Sequence, residues 1–71
     1  MNKFSERLRE LRLEKGLSQA ELSKELGGKV TQPAIAFWEL NKRVPNADVI
    51  ILFAKYFNVS CDYLLGLDNN F

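Results

Sequence analysis

The stretch that decides the fold runs from residue 18 to residue 45 and reads SQAELSKELGGKVTQPAIAFWELNKRVP. Ser18 and Glu21 have the spacing of a capping box, in which the serine hydroxyl and the glutamate carboxylate reciprocally satisfy N–H groups at a helix start. The pattern predicts a helix that begins after Ser18. Gly27 and Gly28 end it, because glycine readily adopts the left-handed backbone conformation found at helix C-termini.

A second helix is predicted directly after the two glycines. Thr31 is a favourable N-cap residue, and Pro33 falls in the first turn, where its missing N–H leaves no helical hydrogen bond unmade. Ile35 and Trp38 lie three residues apart and share a helix face, so we expect both in the core. Asn41 suits the left-handed position that ends a helix. Two short helices joined by a tight glycine turn form the arrangement called helix-turn-helix.

Three more helices are predicted around this pair. The first spans about residues 3–15 and is followed by Gly16. The fourth begins at the cap residue Asn46 and runs to about Phe57, and a short fifth helix lies between Ser60 and Gly66. Apolar residues recur at helical spacing in each, at Phe4, Leu8, Leu11, Val49, Ile50, Phe53, Tyr63, Leu64 and Leu65. No segment alternates like a strand, so we predict an all-α, compact five-helix fold and a single domain over residues 1–71.

The composition argues against several classes of function. The 71 residues include no histidine and one cysteine, Cys61. One chain therefore cannot form a disulfide, a Cys/His metal cluster or a histidine-activated nucleophile. We expect no enzyme activity, no metal and no cofactor. The polar segment 1–10 lacks the apolar stretch of a signal peptide, and no apolar run could span a bilayer, so a cytoplasmic location is expected.

Charge is distributed unevenly along the chain, although the net charge is only +1. The first 45 residues contain nine cations and six carboxylates, whereas the last 26 contain one cation and three carboxylates. Most of these charges are typical of solvated helix faces. Lys42 and Arg43 differ, because they follow the second helix of the pair directly.

The order of residues along the chain resembles a known family. The matching positions are Arg12, Gly16 to Gln19, Glu21, Leu22, Leu26, Gly27, Val30 to Gln32, Ile35, Trp38, Glu39, Lys42, Pro45, Val59, Ser60 and Asp62 to Leu65. Together they resemble the Cro/Xre-type helix-turn-helix regulators, which include lambdoid phage repressors, over about residues 4–66. The resemblance implies a sequence-specific transcriptional regulator, expected to be a repressor, whose third helix reads the major groove of double-stranded DNA. It also implies a homodimer on a near-palindromic operator.

The resemblance assigns roles to individual residues. Base edges would be met by Gln32, Pro33 and Phe37. The DNA backbone would be met by Gln19, Thr31, Asn41, Lys42 and Arg43. Arg12 and Glu39 match a largely buried ion pair that ties the first helix to the third, which is a structural role.

Two features depart from the family pattern. Gly28 and Lys29 lengthen the turn, so we expect a looser turn and consider Lys29 a further phosphate contact. The outward face of the third helix is apolar except for Gln32, with Phe37 beyond it, at about 100° per residue. Glutamine pairs with adenine and apolar groups contact the thymine methyl, so an A/T-containing half-site is expected. The alternative is a protein-interaction or antitoxin module that binds a partner through this apolar face.

The C-terminal end predicts the dimer contact. Apolar side chains crowd there, at Tyr63, Leu64, Leu67 and Phe71. We expect them to pair with a second chain, which would place two recognition helices about 34–36 Å apart, one turn of DNA. Packing within the chain is the alternative, above all for Leu64.

Overall fold

The computed structural model describes residues 3–40 and 43–67. Five helices follow one another in this part of the chain: α1 Phe4–Glu14, α2 Gln19–Glu25, α3 Gln32–Leu40, α4 Ala47–Phe57 and α5 Cys61–Leu65. The same residues contain no strand, and the all-α five-helix prediction is confirmed. Over these residues, no helix has the length and apolar character needed to cross a membrane.

Side-chain caps fix the starts of four helices. Ser18 Oγ accepts the Glu21 N–H at 3.0 Å, and the Glu21 carboxylate accepts the Ser18 N–H at 2.8 Å, which completes the predicted capping box of α2. Thr31, Asn46 and Ser60 each accept the N–H three residues ahead, at 3.3, 3.0 and 2.9 Å. Each cap is worth about 1 kcal/mol, so the starts of α2 to α5 are set by local chemistry.

The core brings α1, α3 and α4 together around one aromatic ring. Phe53 of α4 is fully buried, and its ring centroid lies 6.0 Å from that of Phe4 and 5.9 Å from that of Trp38, the latter edge-on. Ile35 is also fully buried, as predicted. Trp38, which was also predicted to be in the core, is only partly buried and packs against the buried core residues. The inward face of α3 is thereby fixed, which determines the residues on its outward face.

Helix α5 corrects one prediction. Leu64 is fully buried within its own chain, because α5 packs against α1 and α4 with this side chain turned inward. It offers no surface to a second chain and drops out of the predicted dimer contact. Tyr63 is half-buried, with the Arg7 guanidinium 4.1 Å from its ring centroid, and Leu67 is 74% exposed. Phe71 lies outside the described residues.

Candidate nucleic-acid interface

The turn between α2 and α3 is held by hydrogen bonds. Gly27 and Gly28 have φ angles of 69° and 76°, so both occupy the left-handed region that favours glycine. The Gly28 N–H donates to the Ser23 carbonyl at 3.1 Å, and the Ser23 hydroxyl donates to the Val30 carbonyl at 2.6 Å. The Val30 side chain is buried in the core. The expected looseness is therefore wrong: the added residues form a turn with internal hydrogen bonds and a buried anchor.

Three side chains, Gln32, Gln19 and Glu39, form a chain of hydrogen bonds that we call the glutamine relay. It runs from the start of α3 to the start of α2 and returns to the C-terminal part of α3. Gln32 Nε2 donates to Gln19 Oε1 at 2.8 Å, and Gln19 Nε2 donates to Glu39 Oε1 at 3.1 Å. Gln32 is exposed and Gln19 is half-buried. The relay thus fixes one end of an exposed amide at the N-terminal end of α3.

Glu39 also forms the ion pair expected from the sequence resemblance. Arg12 donates to both carboxylate oxygens, from Nε at 2.7 Å and from Nη2 at 2.9 Å, and its Nη1 donates to the Leu17 carbonyl at 2.7 Å. The two side chains are only 10% and 3% exposed. The hydrogen bond to Glu39 raises the pKa of Arg12 above its usual value, and burial opposes this rise. This bidentate pair locks α1 to α3, and through Gln19 it also supports the amide of Gln32.

The outward face of α3 is mainly apolar. Gln32 and Pro33 are exposed, Phe37 is 46% exposed and Leu40 is 83% exposed. Ala36 is half-buried. The three residues predicted to meet base edges therefore lie on one accessible helix, and Gln32 supplies their only amide.

Most of the residues predicted to meet the DNA backbone flank α3 in the sequence. Lys29, Thr31 and Arg43 are all exposed. Asn41 and Lys42 lie outside the described residues. The structure thus places one exposed cation, Lys29, on the turn before α3 and another, Arg43, on the loop after it.

Sequence reasoning missed two features of this region. The relay joins residues 13 and 20 positions apart, and no local pattern reports such contacts. Ser23 gave a weak signal, because a serine near the end of a helix can donate to a nearby carbonyl. Its acceptor, however, depends on the length of the turn that follows.

A helical domain with a capped α2, a tight turn and an α3 that exposes the Gln32 side chain is a helix-turn-helix protein. The family model described as "Helix-turn-helix" matches residues 8–64, and the chain belongs to this family.

Named relatives and a solved structure are similar to the chain. It is 37% identical over 67 residues to the uncharacterized HTH-type transcriptional regulator YqaE of Bacillus subtilis, covering 94% of this chain and 56% of the relative. It is 38% identical over 63 residues to the HTH-type transcriptional activator BcrR of Enterococcus faecalis, covering 89% of this chain and 30% of the relative. The chain thus spans about half of the first relative and under a third of the second.

The structural match covers almost the whole chain. The P22 c2 repressor, crystallised in complex with a synthetic operator, superposes with a TM-score of 0.80 at 34% sequence identity. The match covers 96% of this chain and all of the repressor chain.

Proposed function

We propose that the chain is a sequence-specific, double-stranded-DNA-binding transcription regulator that reads the major groove with α3 and has no catalytic activity. The observation that supports this most directly is the exposed Gln32 amide, held at the N-terminal end of α3 by the glutamine relay. In helix-turn-helix proteins this end of the second helix of the pair contacts base edges. The similarity to a repressor bound to operator DNA supports the same assignment.

Gln32 has the groups needed to recognise adenine. A glutamine amide offers two N–H donors and one carbonyl acceptor. One N–H of Gln32 is used on Gln19, which leaves the second N–H for adenine N7 and the carbonyl for the adenine N6 amino group. Because the relay orients the amide before DNA arrives, less side-chain entropy is lost on binding.

Apolar residues provide the second part of base recognition. Pro33 and Phe37 are exposed on the same helix and have no polar side-chain atom, so a thymine methyl is the feature that suits them. We therefore propose that each half-site contains both an adenine and a thymine.

Backbone contacts would position the domain on the duplex. The exposed Lys29, Thr31 and Arg43 are suited to phosphate oxygens, as are Asn41 and Lys42 in the sequence. Gln19 has a second N–H beyond the one it gives Glu39, and this donor is available to a phosphate next to the start of α2. Phosphate contacts carry no sequence information, so base choice would rest on α3.

The regulator is proposed to act as a homodimer on a near-palindromic operator. With Leu64 buried, the proposed contact consists of Tyr63, the exposed Leu67 and Phe71. We propose that residues 1–71 act as one cytoplasmic domain that represses by occupying its operator. The naming of the P22 neighbour as a repressor supports this sign of regulation, whereas the Enterococcus relative is named an activator.

One experiment tests the function. The purified chain is incubated with a pool of random duplexes, bound molecules are selected and sequenced, and the winning site is titrated at several salt concentrations. The proposal expects enrichment of an A/T-containing site with two related halves, and an affinity that falls steeply with salt. Absence of any enriched sequence would refute specific readout.

The exposed apolar side chains of α3 support a second candidate. Leu40 and Phe37 would suit a protein partner on the same fold, as in an antitoxin module. Failure to bind DNA at low salt, together with a stable complex with a protein partner that Leu40→Asp abolishes, would favour this alternative.

A further inference from the structure

Ser23 connects the two ends of the turn that precedes α3. Its backbone carbonyl accepts the Gly28 N–H at 3.1 Å, and its hydroxyl donates to the Val30 carbonyl at 2.6 Å. A single residue of α2 therefore binds both the middle and the end of the turn. The second bond is made by a side chain, so one substitution can remove it while leaving the backbone bond in place.

The Val30 carbonyl lies immediately before the residues that begin the recognition helix. Thr31 caps α3 through the Ala34 N–H, and Gln32 is the first residue of α3. The Val30 side chain is 4% exposed, so it is anchored in the core while its carbonyl is held by Ser23. The direction in which the chain enters α3 is therefore set at this residue.

We propose that Ser23 is a positioning residue that fixes the placement of the α3 N-terminus, and with it the base selectivity of the domain. This inference rests on the proposed DNA-reading function and adds a residue that itself contacts no base. Loss of the hydroxyl releases the Val30 carbonyl and widens the range of positions open to Gln32. Base contacts depend strongly on alignment, whereas contacts with phosphates tolerate small shifts.

The hydroxyl can be removed with little damage to α2. Alanine has the highest helix propensity, and Ser23 is only half-buried, so Ser23→Ala keeps the helix and leaves no large cavity. Ser23→Thr retains a hydroxyl donor and is the matched control. Ser23→Cys keeps the size and has a weaker donor.

The test uses the full chain, the selected operator and an unrelated duplex of equal length at the same salt concentration. Circular dichroism first identifies a temperature at which Ser23→Ala is fully folded. If no such temperature exists, Ser23→Cys replaces Ser23→Ala. Ser23→Ala should weaken operator binding about tenfold, equivalent to about 1.4 kcal/mol, and change binding to the unrelated duplex less than about twofold. Ser23→Thr should restore most of the operator affinity. Amide NMR shifts of the free variant should change at Val30 to Gln32.

Two results would overturn the inference. Operator affinity that stays at the wild-type level in Ser23→Ala would show that the hydroxyl does not position α3. Equal weakening on both duplexes would assign Ser23 to general stability or phosphate contact. Failure of the wild-type chain to distinguish the operator from the unrelated duplex would instead refute the proposed function. The NMR shifts of the free protein would still report whether Ser23 holds the turn.

Discussion

Removal of the Glu39 carboxylate should strongly destabilise the domain. Arg12 makes two hydrogen bonds to Glu39 and one to the Leu17 carbonyl, and its side chain is 10% exposed. In Glu39→Ala the guanidinium would remain buried with one partner. Loss of one member of a buried ion pair costs about 3–5 kcal/mol.

This loss is large relative to the total stability of so small a domain. At about 0.05–0.15 kcal/mol per residue, 71 residues give an unfolding free energy of roughly 4–11 kcal/mol. A domain of this size loses about 4–8 °C in Tm per kcal/mol, so Glu39→Ala should lower the Tm by at least about 12 °C. Thermal and urea unfolding followed by circular dichroism would measure both quantities.

Glu14→Ala is the control, because this carboxylate is exposed on α1 and its removal should change stability by no more than about 0.5 kcal/mol. A second arm replaces both members of the pair, with Arg12→Met and Glu39→Leu. Apolar replacement of both charges often restores stability, so the double variant should be more stable than Glu39→Ala alone. If Glu39→Ala melted within about 2 °C of wild type, well under the shift expected here, the pair would contribute little and the reasoning would be wrong.

Four further predictions concern DNA binding, assembly and pH. Gln32→Ala should remove about 1–3 kcal/mol of discrimination at one base pair per half-site; titration against every single-base operator variant checks this, and equal weakening on all variants would make Gln32 a backbone contact. Lys29→Ala and Arg43→Ala should each make the slope of log affinity against log salt less steep by about 0.9 for each chain bound, and an unchanged slope in the double variant would remove both from the interface. Sedimentation of the wild-type complex should show two chains per operator, and Leu67→Asp should weaken this pairing. One wild-type chain per operator would contradict the proposed dimer. Hydrogen bonds from Ser18, first from its backbone N–H and then from its hydroxyl, lower the pKa of Glu21. The stabilisation that this carboxylate provides is therefore complete above the usual glutamate value of 4.5 and is lost as pH falls through the lowered pKa. Glu21→Gln should flatten the fall in Tm at acid pH, whereas an unchanged fall would show that other carboxylates cause it.

Sequence patterns predicted the helices well because their ends are set by local chemistry. The capping residues Ser18, Thr31 and Asn46 act on N–H groups three positions ahead, so the interaction is visible in the sequence itself. The same holds for the inward face of α3, where spacing alone placed Ile35 in the core.

Contacts between distant parts of the chain were less accessible to sequence reasoning. The apolar character of Leu64 is equally consistent with a dimer contact and with packing inside its own chain, and only the packing of α5 distinguishes the two. The turn was expected to be loose because its length was visible, whereas the bonds from Ser23 that hold it were not. The family resemblance supplied the pairing of Arg12 with Glu39, and the structure added the link to Gln19.

The order of donors and acceptors in the glutamine relay has a consequence for the proposed base contact of Gln32. An ionised carboxylate can only accept hydrogen bonds, so Glu39 requires Gln19 to present its amino group and to turn its carbonyl towards Gln32. Gln32 must then spend one N–H on that carbonyl. Guanine presents two acceptors, N7 and O6, in the major groove and would need both N–H groups of Gln32. If Gln32 contacts a base as proposed, a carboxylate two side chains away from that base would therefore disfavour guanine at this position of the operator.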